Sequence, residues 1–113
     1  MGAIVGQRDR DALAEMPRVI YTQPALDDLI RLREFLTEKS PEAANKARDT
    51  LLAALKSLAL FPESNQPVPD LPFHREMVIA FGARGYVARY RYERGGDVVV
   101  LRIRHQRERR SPG

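Results

Sequence analysis

The side chains best suited to chemistry are the arginines in the last third of the chain, together with one histidine. Ten arginines and only four acidic residues lie from Arg75 to the C-terminus, although the whole 113-residue chain has a net charge of +4. A guanidinium group donates two parallel hydrogen bonds, which suits phosphates and carboxylates. The pattern favours an anionic partner or substrate. A basic surface that only keeps the protein soluble is the alternative interpretation.

His105 ends the last apolar run, directly after Arg104. An imidazole titrates near neutral pH, so this side chain could act as a general acid or base. It could equally cap a strand with a hydrogen bond, which is the commoner role of a lone histidine. Arg104 and His105 are therefore candidates for both catalysis and structure.

Other kinds of site find no support in the residue types. The chain has no cysteine, no paired-histidine spacing, no glycine-rich phosphate loop and no nucleophile elbow, so we expect neither a metal nor a cofactor. The lack of cysteine fits a reducing cytoplasm. No apolar run approaches the roughly 20 residues that span a bilayer, so we expect no membrane association.

The arginines must be positioned by strands, which we predict at residues 75–80, 86–92 and 98–104. Gly95-Gly96 lies between the last two runs and is typical of a two-residue hairpin turn. That turn places Arg89 opposite Arg102, and side chains then alternate between two faces. The predicted core face contains Tyr86, Ala88, Tyr90, Tyr92, Val99, Leu101 and Ile103.

The opposite face of this hairpin is predicted to be basic. Opposed like charges destabilise a sheet by about 0.2–1 kcal/mol per pair, so we expect this face to meet nucleic acid or acidic protein side chains. A register slip of one residue in one strand would reverse that strand's faces. The predicted basic face contains Arg89, Arg91, Arg102 and Arg104, interleaved with Val87, Val98 and Val100.

The remaining elements predict an α+β fold with the order β-α-α-β-β-β. Residues 18–22 form a short strand. A helix begins at Pro24 and ends near Lys39, and a second helix, capped by Ser40, ends near residue 61. So short a link makes the two helices an antiparallel hairpin. Residues 62–73 contain four prolines and predict an irregular surface loop before a three-stranded antiparallel sheet.

The chain length predicts one domain. We assign it to residues 16–108, interpret residues 1–15 as a leader or flexible arm, and interpret residues 109–113 as a tail.

Several stretches resemble toxins of the RelE/ParE superfamily, which belong to type II toxin–antitoxin systems of the plasmid stabilisation type. The order of elements is the same, and the likeness covers residues 18–108. The stretches that carry it are 24–29 (PALDDL), 40–44 (SPEAA), Leu58, Pro62, 75–76 (RE), 85–87 (GYV), 90–91 (YR) and 99–108 (VVLRIRHQRE).

The resemblance implies one of two activities. RelE-like members cut messenger RNA on the ribosome, whereas ParE-like members poison DNA gyrase. For a nuclease, the resemblance makes Arg75, Arg84, Arg104 and His105 the catalytic candidates. RelE-like nucleases often have a C-terminal tyrosine, and they use basic residues at the scissile phosphate. However, residues 106–113 contain no tyrosine and residues 62–73 contain no lysine or arginine. These departures and the long helical hairpin favour the ParE-like, non-enzymatic activity. A non-toxic nucleic-acid-binding module is a third interpretation.

The resemblance also implies a cognate antitoxin as partner, forming a hetero-oligomer, with gyrase or the ribosome and its messenger RNA as target. We expect an acidic, partly disordered antitoxin segment that covers the helical hairpin groove and the basic face. Reversing the charges of Arg89 and Arg102 together is expected to weaken that complex. The residues expected to bind antitoxin or target are Arg89, Arg91, Arg102, Arg104 and Tyr86.

Overall fold

The computed structural model describes residues 16–108, so the expectations for residues 1–15 and 109–113 lie outside the described part. The elements confirm the α+β class. They are β1 (Val19–Tyr21), α1 (Gln23–Lys39), α2 (Pro41–Lys56), a 3-10 turn (Ser57–Ala59), β2 (Gln66–Pro67), β3 (His74–Phe81), β4 (Arg84–Arg91) and β5 (Val98–His105).

The two helices form the predicted antiparallel hairpin, linked by Ser40 alone. Its backbone N–H donates to the Leu36 carbonyl at 2.8 Å, while its hydroxyl accepts from the backbone N–H of Ala43 at 3.2 Å. Thr22 caps the start of α1 in the same way, accepting from Ala25 at 3.2 Å. Side-chain acceptors at these positions satisfy the free N–H groups of a first turn. Between residues 16 and 108, neither helix is long and apolar enough to cross a membrane.

Within residues 16–108, the sheet has five strands in the order β1-β5-β4-β3-β2, rather than the three predicted. β1 joins one end by pairing in parallel with β5, and every other pairing is antiparallel. The loop predicted over residues 62–73 contains the second added strand, β2, with Gln66 opposite Glu76. Proline is accepted in an edge strand, because its missing N–H faces away from the sheet.

The helical hairpin covers one face of the sheet, and the core lies between them. Both layers contribute fully buried side chains, including Leu55 and Leu58 from the helical side and Tyr86 and Tyr90 from β4. Burial of this apolar surface is the main stabilising contribution to a domain of this size. The remaining core residues of the cluster are Ala25, Leu32, Ala47, Leu51, Ile79, Ala88, Val98, Val100 and Ile103.

The predicted hairpin register is correct at Arg89, which lies opposite Arg102, but wrong beyond it. A register shift follows Arg89, so Tyr90 pairs with Val100 instead of Leu101. Leu101 is the extra residue of a β-bulge, which reverses the faces of the preceding residues. Val98 and Val100 are therefore fully buried, whereas Val99 and Leu101, predicted for the core, are only half-buried.

Candidate partner-binding site

The opposed arginines of the hairpin are each paired with a carboxylate of the same chain. Arg89 lies 3.2 Å from Glu76, and both side chains are largely buried. Arg102 donates from Nε and Nη2 to the two carboxylate oxygens of Asp28, at 2.9 and 3.2 Å. The repulsion between the two arginines is thus offset within the protein. A role of this face in binding a partner stays a prediction.

The other two arginines of the predicted basic face also contact their own chain. Arg91 lies 3.3 Å from Glu93 and 5.2 Å from the centre of the Phe73 ring. Arg104 donates to the backbone carbonyl of Glu108 at 3.1 Å. All four arginines therefore have partners inside the protein.

Asp28 is the centre of the polar contacts between α1 and β5. Its carboxylate accepts from the backbone N–H of Ile103 at 2.8 Å, from Arg102, and from Arg31 at 3.4 Å. Burial raises the pKa of Asp28, but these hydrogen bonds and the nearby Arg102 charge outweigh it and leave the pKa below its ordinary value. Arg31 also pairs with Glu108 at 2.9 Å. This network fastens the end of β5 to the first helix.

Arg75, a candidate catalytic residue, fastens a loop. Its guanidinium donates to the carbonyls of Glu63 and Asn65, at 3.0 and 2.6 Å. The hydroxyl of Tyr90 donates to the Pro62 carbonyl at 2.7 Å and accepts from the Asn65 amide at 3.2 Å. These four contacts hold the start of the proline-rich loop against the sheet.

The structure brings Arg84, Tyr86 and His105 together at one end of the sheet. Arg84 pairs with Phe81 beside the β3–β4 turn, and Tyr86 pairs with His105 on the adjacent strand. They border a groove of about 710 Å³ between this end of the sheet and the second half of α1. The groove is lined by Arg31, Leu32, Phe35, Leu36, Lys39, Phe81, Gly82, Ala83, Arg84, Tyr86, His105, Arg107 and Glu108.

The groove combines an apolar floor with a cationic rim. Within residues 16–108, the side chains of Arg84 and Arg107 have no carboxylate partner. Lys39 lies 4.5 Å from the centre of the Phe35 ring, which is itself 56% exposed. An apolar surface of this size beside unpaired cations fits an amphipathic, acidic ligand.

His105 is held by the turn that follows β5. Its backbone N–H donates to the Glu108 carboxylate at 3.1 Å, and its ring Nδ1 accepts from the backbone N–H of Arg107 at 3.1 Å. The ring also meets the Tyr86 ring edge-on, with centres 5.5 Å apart. Burial raises the pKa of the Tyr86 hydroxyl, so that tyrosine stays neutral. The surroundings of His105 fit the capping role as well as a chemical one.

Sequence reasoning missed the helical half of the groove. Arg31, Phe35 and Lys39 follow one another at intervals of four residues, which places them along one face of a helix. That spacing was a usable signal. Asp28 was also missed, because a carboxylate beside Asp27 in an amphipathic helix resembles an ordinary solvated residue.

Comparison with known proteins decides the family. Residues 19–110 match the family model described as the ParE toxin of the type II toxin–antitoxin system parDE. The chain belongs to the ParE toxin family. This toxin of a type II toxin–antitoxin system is thus a member of the RelE/ParE superfamily, as the resemblance implied.

Two curated relatives come from Caulobacter vibrioides (strain ATCC 19089 / CIP 103742 / CB 15). Toxin RelE3 is 39% identical over 83 residues, which is 74% of this chain and 87% of the relative. Toxin RelE1 is 40% identical over 92 residues, 81% of this chain and 96% of the relative. A solved structure titled "Chromosomal ParDE TA system from P. aeruginosa" has a TM-score of 0.65 at 20% identity, covers 80% of this chain and 97% of that one, and supports the fold.

Proposed function

We propose that this ParE-family toxin arrests growth by poisoning DNA gyrase in the cytoplasm, without cutting RNA. The observation that carries the proposal is that three of its candidate nuclease groups have partners within the chain. Arg75 donates to two loop carbonyls, Arg104 to the Glu108 carbonyl, and the ring of His105 accepts a backbone N–H. A nuclease needs donors aimed at the charge that develops on the scissile phosphate. Groups already engaged in the protein serve that purpose poorly.

We propose that a cognate antitoxin neutralises the toxin by covering the groove. The apolar floor offers burial to an amphipathic segment, and Arg84 and Arg107, which have no carboxylate partner among the described residues, attract its acidic residues. A segment that is disordered when free loses conformational entropy as it orders, and binding to such a surface offsets that loss. The resulting hetero-oligomer keeps the toxin from its target.

A RelE-like nuclease is the second candidate function, and one observation favours it. Arg84 and His105, two of the four catalytic candidates, border the same groove. Arg84 has no carboxylate partner within residues 16–108, and an arginine and a histidine that line one groove can serve phosphate chemistry together. A non-toxic nucleic-acid-binding module is the third candidate, based on the basic C-terminal third alone.

Induced expression in cells separates the three candidates. We expect growth arrest with altered plasmid supercoiling and intact messenger RNA, and normal growth when the protein encoded beside this gene, the expected antitoxin, is co-expressed. Cleaved messenger RNA with normal supercoiling would favour the nuclease. Normal growth with toxin alone would favour the non-toxic module, for which the logarithm of the nucleic-acid binding constant should fall linearly with the logarithm of salt concentration.

A further inference from the structure

One exposed stretch of the sheet edge is already covered by side chains. β1 pairs with β5 only as far as Val100, and β5 continues for five residues beyond it. There the Thr22 hydroxyl donates to the Leu101 carbonyl at 3.0 Å, and the Ile103 N–H donates to Asp28 at 2.8 Å. These contacts occupy backbone groups that a further strand would need, so this part of β5 cannot take one.

Within residues 16–108, the edge of β3 has no such cover beyond β2. The backbone N–H and carbonyl of His74 face β2, because they bond to the Leu71 carbonyl and the Val68 N–H at 3.2 and 2.9 Å. Alternate residues of an antiparallel strand direct these groups to the same side. Val78 and Ala80 therefore point theirs outward, past the end of β2.

The outward groups of Val78 and Ala80 are open to a partner. No backbone or side-chain group among residues 16–108 bonds to them, and both residues are exposed, Val78 by 64%. Protein edges are usually protected by charged residues or proline. Residues 77–81 (MVIAF) contain neither.

We propose that this edge of β3 accepts an extended segment of the antitoxin as a sixth strand of the sheet. The inference rests on the proposed function, since it names a second contact of the same partner. Strand addition draws affinity from main-chain hydrogen bonds and specificity from alternate side chains. The neighbours on the outer face are Val78, Ala80 and Val87, so the added strand presents small or β-branched apolar residues to them.

Charge and position both favour the antitoxin over a second copy of the toxin. Each toxin carries a net charge of +4, so two copies repel one another, whereas an acidic segment is attracted. β3 also ends at Phe81, whose ring lines the groove beside Arg84. One continuous antitoxin segment can therefore pair with β3 and then enter the groove.

Amide hydrogen exchange tests the inference on the free toxin and on its complex with the protein encoded beside its gene. The Val78 and Ala80 amides are expected to exchange rapidly in the free toxin and on the order of 100-fold more slowly in the complex. The Ile103 amide serves as an internal control that is slow in both. A stable complex with unchanged Val78 and Ala80 exchange would overturn the inference and leave the proposed function standing. If the adjacent protein neither binds nor rescues growth, the proposed function fails instead.

Two further outcomes would assign strand addition elsewhere. Val19 and Tyr21 direct their backbone groups outward from β1, because those of Arg18 and Thr22 bond to β5. Protection at Val19 and Tyr21, with none at Val78, would place the partner on β1. Protection at Val78 in the toxin alone, with a dimeric mass, would assign the edge to a second copy. Either result contradicts the proposal.

Substitution gives an independent test. Val78→Pro removes the outward N–H at an edge position where proline is accepted. We expect it to weaken antitoxin binding about 10-fold, while Val78→Thr, which keeps the N–H, retains most of the affinity. Circular dichroism checks that both variants fold. A folded Val78→Pro protein with wild-type affinity would contradict the proposal. If Val78→Pro does not fold, the hydrogen-exchange measurement remains the test of the proposal.

Discussion

The carboxylate of Asp28 lies 2.8 Å from the backbone nitrogen of Ile103. It connects α1 to β5 beyond the end of β1. There the Asp28 carboxylate accepts the hydrogen bond that a backbone carbonyl of a neighbouring strand would otherwise accept. Asp28 is only 4% exposed, and its second oxygen accepts from Arg102 at 3.2 Å. The helical hairpin is thus fixed to the sheet by hydrogen bonds as well as by the apolar core.

Removing this carboxylate should strongly destabilise the toxin. Asp28→Ala leaves the Ile103 N–H without its acceptor and Arg102 without its carboxylate, so we expect a loss of about 2–4 kcal/mol in the free energy of unfolding. Urea denaturation measures it. The matched control is Asp27→Ala, since Asp27 is exposed and, among the described residues, bonds only to Gln23, and it should cost about 0.5 kcal/mol or less. Equal losses in the two variants would contradict this role of Asp28.

The same carboxylate should make stability depend on pH. The pKa of Asp28 is lower in the folded protein than its ordinary value, so its contribution is complete above the unfolded-state pKa of about 3.9 and is lost as pH falls through the folded-state pKa. We expect acidification below about pH 5 to destabilise wild type more than Asp28→Ala. Urea titrations from neutral to acidic pH compare the two. Glu63 and Asp97, whose pKa values are also lowered, are present in both proteins and cancel in the difference.

The sequence predicted the elements better than it predicted the pairing. The cap at Ser40 and the prolines in the first turns are local signals, and the helical hairpin that they predicted is confirmed. The bulge at Leu101 is not a local signal, because residues 98–101 (VVVL) are all apolar and do not show which of them face the core. One inserted residue reversed Val98–Val100 and moved two predicted core positions out of the core.

Of the candidate site, the sequence predicted only the residues that lie on strands. Arg84, Tyr86 and His105 were named from the sequence and do border the groove. The carboxylates that pair with Arg89 and Arg102 come from other elements, so no pattern within the hairpin reveals them. This also changes an experiment: reversing Arg89 and Arg102 would break internal ion pairs, and a weaker complex would not report on the interface.

The anchoring of the proline-rich loop predicts an effect of a single hydroxyl. Tyr90→Phe removes the donor to the Pro62 carbonyl and the acceptor for Asn65, and we expect a loss of about 1–2 kcal/mol in the free energy of unfolding. Thermal denaturation measures this change. Tyr92→Phe is the control, because the Tyr92 hydroxyl makes no hydrogen bond to a described residue. A Tyr90→Phe protein as stable as the Tyr92→Phe control would argue against the anchor.

Two glycines beside the β3–β4 turn should differ in their tolerance of alanine. A Cβ atom at Gly85 would overlap the backbone carbonyl of Ile79, which cannot move without breaking the sheet, so we expect a loss of about 3 kcal/mol or more. At Gly82 the space is open but φ is +65°, so alanine should cost about 1–2 kcal/mol. Urea denaturation ranks the variants, and the reverse order would contradict the packing of this turn.

The cationic rim of the groove predicts which charges the antitoxin requires. Reversing Lys39 and Arg84 to glutamate should weaken antitoxin binding by about 2 kcal/mol or more, with a smaller effect of salt on the remaining affinity. The control reverses Lys46 and Lys56, exposed on α2 away from the groove, and alters net charge equally. Calorimetry measures both proteins. Similar losses would indicate that only the overall charge matters.

The central claim is that this toxin acts on gyrase and not on RNA. The direct measurement is to add purified toxin to DNA gyrase with relaxed plasmid, and in parallel to translating ribosomes with a labelled messenger RNA. We predict loss of supercoiling that is restored by antitoxin, with the messenger RNA intact. Unchanged supercoiling together with cleaved messenger RNA would contradict the account and assign Arg84 and His105 to a nuclease site.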